Sequence, residues 1–200
     1  MTDLLYIHPQ TRELGGQGEL VWVPPNAVVE EVYSEPDPDD PMGAAVVVGQ
    51  RLAEMPVSEA VSAVERLVEQ LYTEALRAFT RHASPEEMAT WPLMAEKAAA
   101  CKAGDTAACG WLARQVPDAV AQAEGLPDGQ ARALWLATKV AAKRSFYENA
   151  VAEAKAARAE GYAALAAGKF KSDIEVLAFA ARLLQAAQQR MQAFMAGVTA

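Results

Sequence analysis

Hydrophobic positions follow two different periods along this chain. Before residue 34, apolar residues stand in three short runs rich in β-branched and aromatic side chains, at residues 4–7, 20–23 and 27–33. Stretches containing glycine or proline at residues 9–18 and 24–26 separate these runs, as turns separate strands. We interpret the runs as three short strands in a meander. A sheet this small is marginal by itself, so we expect it to dock on another part of the chain.

From about residue 44 to the C-terminus, the sequence is rich in alanine and its apolar residues recur every three or four positions. This spacing places them on one face of a helix, because an α-helix has about 3.6 residues per turn. Residues 117–129 contain two prolines and two glycines and are interpreted as a turn-rich stretch. The pattern predicts helices over residues 58–82, 85–102, 106–115 and 130–167.

Helix starts are signalled by small polar residues with side-chain oxygens. Ser58 is a candidate N-cap of the first helix, and Ser84 followed by Pro85 and Glu87 has the pattern of a capping box with proline in the first turn. Pro92 removes one backbone donor and predicts a bend in the second helix. Residues 172–175 (SDIE) form a second capping box after Gly168.

The last helix has the sharpest periodicity in the chain. Its apolar positions advance by three and four residues in turn over more than three heptads, which is typical of a coiled-coil seam. Gln188 is the one polar member, and such a residue fixes register in some coiled coils. Packing between chains, packing within an antiparallel hairpin of residues 130–167 and 172–198, and an ordinary bundle helix with Gln188 at its edge all remain open. The seam consists of Ile174, Leu177, Ala181, Leu184, Gln188, Met191, Met195 and Val198.

Charge divides the chain at the same place as the hydrophobic pattern. Residues 1–43 contain nine acidic residues and one base, Arg12, which equals the net charge of −8 of all 200 residues. Residues 44–200 are therefore neutral, and nothing in the chain forms the basic stripe that nucleic acids need. Residues 34–43 alternate acids with prolines and are interpreted as an extended, semi-rigid linker. An EF-hand needs ligands at offsets that this stretch lacks.

Together these patterns predict a mainly α protein. Its expected parts are a small N-terminal β meander, the acidic proline-rich linker, and a helical bundle with a long α-hairpin and a coiled-coil-like C-terminal helix. No apolar run reaches the length needed to span a bilayer. The expected boundaries are 1–33 for the β unit, 34–43 for the linker, 44–127 for a helical region and 128–200 for the hairpin.

Catalytic and metal-binding patterns are missing from the sequence. Cys101 and Cys109 have no CxxC spacing, and in one helix they would lie about 12 Å apart along its axis, too far for a disulfide. We interpret them as buried thiols. The two histidines, His8 and His82, are too few for most His-based metal sites, and no serine lies in a Gly-x-Ser-x-Gly elbow. We therefore expect no catalytic residue, no cofactor and no metal, and not an enzyme.

Two stretches carry a resemblance to small tail proteins of tailed bacteriophages. Residues 5–7 (LYI), leading through Thr11 to residues 24–28 (PPNAV), resemble the short β opening of tail-fibre assembly proteins. The stretch from residues 78–81 (AFTR) to residues 91–98 (WPLMAEKA) is similar to helical domains of phage tail and fibre-associated proteins, which carry an aromatic helix end, a tryptophan and then a Glu/Lys/Ala helix. The similarity continues loosely through Gly110, Trp111, Leu112, Lys139, Val140 and Phe146.

The chain departs from the pattern of a fibre-assembly chaperone in two respects. It shows neither the second β repeat nor the glutamine-rich helical tail of such proteins, and residues 172–198 lie outside the similarity. The resemblance implies a structural component of a tail tip, baseplate or tail-fibre attachment. It implies the virion tail as location, after synthesis in the host cytoplasm, and other tail or fibre proteins as partners. An assembly chaperone and a generic helical interaction protein are the alternatives.

The expected contacts are with proteins, in a homo-oligomer or a symmetric assembly, and not with nucleic acid or membrane. A short strand suits pairing with a partner's sheet, and the seam suits permanent helix packing. The candidate interaction residues are Leu20, Val21, Trp22 and Val23 in the strand, and Leu177, Leu184, Gln188, Met191 and Met195 in the last helix.

Overall fold

The computed structural model describes residues 3–8, 10–15, 18–34, 46–80 and 84–199. The predicted mainly α class is confirmed, with a small β part at the N-terminal end. The elements are β1 (Asp3–Ile7), β2 (Glu19–Val23), β3 (Val29–Tyr33), β4 (Val47–Leu52), α1 (Val57–Thr80), α2 (Pro85–Lys102), α3 (Thr106–Gln115), α4 (Asp118–Ala123), α5 (Gly129–Ala167) and α6 (Asp173–Thr199).

The β part consists of two antiparallel pairs, so the predicted three-stranded meander is wrong. β1 pairs with β2, and β3 pairs with β4. Strand β4 replaces the beginning of the helical region expected from residue 44, because its backbone pairs with that of β3. Residues 12–14 run along the other side of β4: the Leu14 N–H donates to the Gln50 carbonyl, and the Leu52 N–H donates to the Arg12 carbonyl.

The predicted linker lies outside the described residues, except for Ser34. The same holds for His82 and for two positions of the glycine-containing turn, Gly16 and Gln17.

Helix positions agree closely with the sequence pattern, with differences at the ends. α1 begins at Val57, so Ser58 lies inside the helix and is not its cap. The Ser84 hydroxyl accepts the Glu87 N–H at 3.0 Å, as the capping pattern predicts. At the start of α6 the Ser172 hydroxyl accepts the Glu175 N–H at 3.3 Å. Helix α4 occupies part of the stretch that was predicted to be turns.

The chain divides into two compact units. Unit 1 comprises residues 1–73 and 156–200, and unit 2 comprises residues 74–155, so α1 and α5 contribute to both. The largest fully buried side chains of unit 1 come from both its strands and its helices, because β1, β2, β4, α1 and α6 enclose one core. They are Ile7, Val21, Leu52, Val64, Leu67, Val176 and Leu177.

In unit 1, residues 156–167 of α5 pack antiparallel to α6, as the predicted hairpin requires of this part of α5. Arg190 pairs with Glu160 at 2.6 Å. One residue further along α5, Gly161 is buried, and a Cβ there would lie 3.3 Å from a methyl carbon of Val68 and 3.6 Å from one of Leu183. The missing side chain therefore lets α1, α5 and α6 approach closely.

In unit 2, α2, α3 and α5 enclose a second core. Its buried members are Ala98, Cys101, Ala108, Leu112, Ala133 and Ala137. Cys101 and Cys109 form a disulfide with their Cα atoms 4.7 Å apart, so the prediction of separate thiols is wrong. The estimate of 12 Å assumed one helix. In the structure α2 ends at Lys102, Gly104 has a φ of +95°, and α3 starts at Thr106, so the chain folds back.

Candidate interaction surface

The predicted strand residues lie in or against the core of unit 1. Val21 and Trp22 are buried, and Leu20 and Val23 are half-buried against the same core. β2 pairs with β1 on one edge and packs on α6. The side chains of residues 20–23 are therefore used within the chain, and pairing of the other edge of β2 with a partner's sheet stays a prediction.

The predicted residues of α6 separate into two groups. Leu177 and Leu184 are fully buried in unit 1, so they are not accessible to a second chain. Gln188 is exposed, Met191 is half-buried, and Met195 is exposed. The inner part of the seam packs within the chain. Only its outer part, beyond Leu184, has members at the surface.

Four exposed apolar side chains of the described residues lie where β3 ends and β4 begins, among them the two most exposed, Val46 and Val48. Tyr33 is 54%, Val46 63%, Val47 48% and Val48 64% exposed. The register brings them together, because Tyr33 stands opposite Val47 and a bulge interrupts the pairing at Val32 and Tyr33. We call Tyr33, Val46, Val47 and Val48 the β3–β4 surface. Val28 and Val29 are also exposed, at the opposite end of the strand pair.

Acidic side chains accompany this surface along β3. Glu30 pairs with Arg51 of β4 at 2.8 Å, and the Tyr33 hydroxyl donates to the Glu31 carboxylate at 2.7 Å. This hydrogen bond raises the pKa of Tyr33, and the negative charge of Glu31 raises it further. β3 thus presents apolar and anionic groups side by side.

The Arg12–Asp173 ion pair of unit 1 is largely buried and connects several elements. The Arg12 guanidinium donates to both carboxylate oxygens of Asp173, at 2.7 and 3.0 Å, and also to the carbonyls of Leu52 and Ala53. Asp173 accepts the Met55 N–H as well. Burial alone would raise the pKa of Asp173, but the bonds from Arg12 and the Met55 N–H lower it overall. Arg12 has a φ of 62°, a conformation rare for a non-glycine residue.

In unit 2, partly exposed aromatic side chains join α2 to α5. The Trp91 and Tyr147 rings meet edge to face, with centroids 5.6 Å apart. Lys143 lies 4.9 Å above the Trp91 ring and donates to Glu87 at 2.7 Å, which lowers the pKa of Glu87. Phe79 and Phe146 form another edge-to-face pair. These contacts are helix packing.

An open groove of about 640 Å³ lies beside α4 in unit 2. Three of its charged groups serve the fold: Arg132 donates to Asp118 at 2.6 Å, and the Asp128 carboxylate accepts the Ala131 N–H at the start of α5. Arg114 also lines the groove.

Titratable side chains in the described ranges do not assemble into a metal-binding group of three or more His, Cys, Asp or Glu residues. The His8 ring accepts the Thr11 N–H at 3.2 Å, which is a turn contact. Among the helices of the described residues, none combines the length and hydropathy needed to cross a membrane.

Sequence reasoning missed the β3–β4 surface, although the signal was present. Residues 46–48 are three consecutive valines, and Gly43 and Gly49 flank this stretch. A β-branched run between glycines is typical of a strand. The surrounding alanines concealed it, because they extended the helical pattern to residue 44.

Comparison with known protein families, with curated proteins and with solved structures found no match to this chain.

Proposed function

We propose that this chain is a non-enzymatic structural component of a bacteriophage tail tip, baseplate or tail-fibre attachment. It acts through protein–protein contacts. The phage setting rests on the resemblance of residues 5–28 and 78–98 described above. The mode of action rests on the β3–β4 surface.

The observation that carries the proposal is the exposure of Tyr33, Val46, Val47 and Val48 beside a well-packed core. Elsewhere in unit 1, Val21, Leu52, Val64 and Val176 have no exposed surface. Exposed apolar groups gathered in one place mark interaction sites, because they gain free energy when a partner removes them from water. A structural protein that is held permanently in an assembly has such a surface.

Mass spectrometry of purified phage particles tests this function, with the gene in its native phage or prophage. We expect the chain in particles at a fixed ratio to a tail protein. Val48→Asp should lower this ratio at least about tenfold, because it places a charge in the apolar contact. Leu134→Asp is the matched control: Leu134 is exposed on α5 in unit 2, and its replacement should leave the ratio unchanged.

Three results would overturn the proposal. Recovery only from the lysate, bound to fibre protein, would identify an assembly chaperone. Absence of phage genes around the gene would leave a generic helical interaction protein. Equal incorporation of the two variants would show that the β3–β4 surface is not the contact.

A further inference from the structure

The outer edge of β3 carries backbone groups that β4 does not use. The Ala53 N–H donates to the Val28 carbonyl at one end of the pair, and the Ser34 N–H donates to the Val46 carbonyl at the other. Hydrogen-bonded positions alternate along antiparallel strands, so Glu30 and Val32 face β4. The N–H and C=O groups of Val29, Glu31 and Tyr33 therefore point away from it.

The opposite strand supports this assignment independently. Gln50 and Leu52 stand opposite Glu31 and Val29 in the register. Their backbone groups bond outward, to residues 12–14. The edge of β4 that faces away from β3 is therefore covered by residues 12–14. Among the described residues, no backbone hydrogen bond reaches the edge of β3 that faces away from β4. An edge of this kind accepts an additional strand.

Charge determines which strand fits. Glu30 and Glu31 lie at the centre of β3, in a segment of 43 residues with a net charge of −8. A second copy pairing antiparallel about Glu31 would place the two Glu31 side chains opposite each other, which is destabilising. A strand with Lys or Arg opposite Glu31 would instead gain cross-strand attraction.

We infer that β3 accepts an extended segment of a partner protein in which Lys or Arg alternates with β-branched residues. The segment adds to the sheet along Val29, Glu31 and Tyr33 of β3. Its Lys or Arg opposite Glu31 shares the face of Val29 and Tyr33, and its β-branched residues stand beside Glu30 and Val32. This inference rests on the proposed function, since it names the partner chemistry for the same pair of strands.

A short peptide serves as the probe for the full 200-residue chain. Acetyl-Lys-Val-Lys-Val-Lys-Val-amide is titrated while NMR follows amide hydrogen exchange, with the peptide carrying Glu in place of Lys as the counterpart. We expect the cationic peptide to slow the exchange of the Val29, Glu31 and Tyr33 amides, and the anionic peptide to leave it unchanged. The affinity of the cationic peptide for the chain should fall as the salt concentration rises, because salt screens exposed charges.

Two variants separate the backbone contribution from the charge contribution. Glu31→Pro removes an outward N–H that β4 does not use, and should weaken the cationic peptide about tenfold. Slow exchange of the Glu30 and Val32 amides confirms that this variant keeps its strand pairing. Glu31→Gln keeps the backbone N–H and should mainly reduce the salt dependence of cationic peptide binding. Glu65→Gln, an equal change of charge at an exposed site of α1, should change neither the affinity for the peptide nor its salt dependence.

Equal binding of both peptides, or no protection by either, would overturn the inference. Slow exchange at Val29, Glu31 and Tyr33 before any peptide is added would do so too, because the chain's own residues would then occupy the edge. These results are distinct from failure of the proposed function. If the chain is found in particles at a fixed ratio but binds neither peptide, the proposed structural role stands and only the inferred partner chemistry is wrong.

Discussion

The Nη2 atom of Arg12 lies 2.7 Å from the Oδ2 atom of Asp173, although 161 positions separate the two residues in the sequence. Arg12 also binds the carbonyls of Leu52 and Ala53, while Asp173 receives the N–H groups of Met55 and Ile174. This pair therefore connects the turn after β1, the end of β4 and the first residue of α6. It fixes the β part of unit 1 on its helices.

Asp173→Ala should destabilise unit 1 strongly. The substitution leaves the guanidinium of Arg12 largely buried without its anion, and breaking such a pair costs about 3–5 kcal/mol. Urea unfolding followed by circular dichroism measures the loss. Glu160→Ala is the control, since it removes an exposed partner of Arg190 and should have a far smaller effect. Equal losses in the two variants would contradict the structural role of the Arg12–Asp173 pair.

The same carboxylate should make stability depend on acid pH. The pKa of Asp173 is lowered from its ordinary value of 3.8, so the folded state binds its proton less readily than the unfolded state. This contribution is fully present above the unfolded pKa and is lost as the pH falls from about 4 through the folded pKa. Unfolding free energies between pH 5 and pH 2.5 should fall less steeply in Asp173→Asn than in the parent. Parallel curves would refute this assignment.

Local sequence predicted the helices well because their signals are local. The Ser84 cap and the spacing of Ile174, Leu177 and Leu184 act within a few residues. The pairing of β3 with β4 depends on residues on either side of the acidic stretch, so no local pattern encodes it. The Arg12–Asp173 pair has no sequence signal, because on charge alone any of the 18 bases of the chain is an equally good partner for Asp173.

Leu184→Ala should destabilise the chain by about 2–5 kcal/mol, because Leu184 is enclosed in the core of unit 1. Gln188→Ala, one helical turn further, changes an exposed residue and should stay within about 0.5 kcal/mol of the parent. Thermal unfolding measures the first effect, and light scattering should give one mass for the parent and for Gln188→Ala. A lower mass for Gln188→Ala would show that the seam joins separate chains.

Gly161 should tolerate no large side chain. Leucine there would meet Val68 and Leu183, and overpacking of this kind costs about 1–3 kcal/mol. Gly110→Ala in α3 is the matched control: its nearest neighbour would lie 3.9 Å away, so the helix should gain up to about 1 kcal/mol from the better helix former. Unfolding free energies that change in the same direction would contradict the close approach at Gly161.

The Cys101–Cys109 disulfide should stabilise unit 2. It closes a loop with a sequence separation of 8, for which the chain-entropy model gives about 2–3 kcal/mol. The double variant Cys101→Ala, Cys109→Ala should lose this amount, and hydrogen exchange should locate the loss within residues 74–155. Thiol titration of the denatured parent should find no free thiol before reduction. Two titratable thiols at that stage would refute the bond.

The candidate surface was less predictable than the fold. Which apolar side chains stay exposed depends on which ones other elements of the fold cover. Hydrophobic periodicity predicts the type of element and does not contain that information. Residues 20–23 and 46–48 have the same strand composition, yet α6 packs on β2 and buries Val21, while Val46 and Val48 have no such cover among the described residues. Only the tertiary arrangement distinguishes them.

Trp22 gives unit 1 an optical label of its own. It is buried, its indole N–H has no hydrogen-bond partner among the described residues, and the other three tryptophans, Trp91, Trp111 and Trp135, all belong to unit 2. An indole without water or a polar neighbour emits at short wavelength and shifts to the red when it becomes hydrated. A chain with phenylalanine in place of Trp91, Trp111 and Trp135 would therefore report the opening of unit 1 alone, through the wavelength of its fluorescence emission.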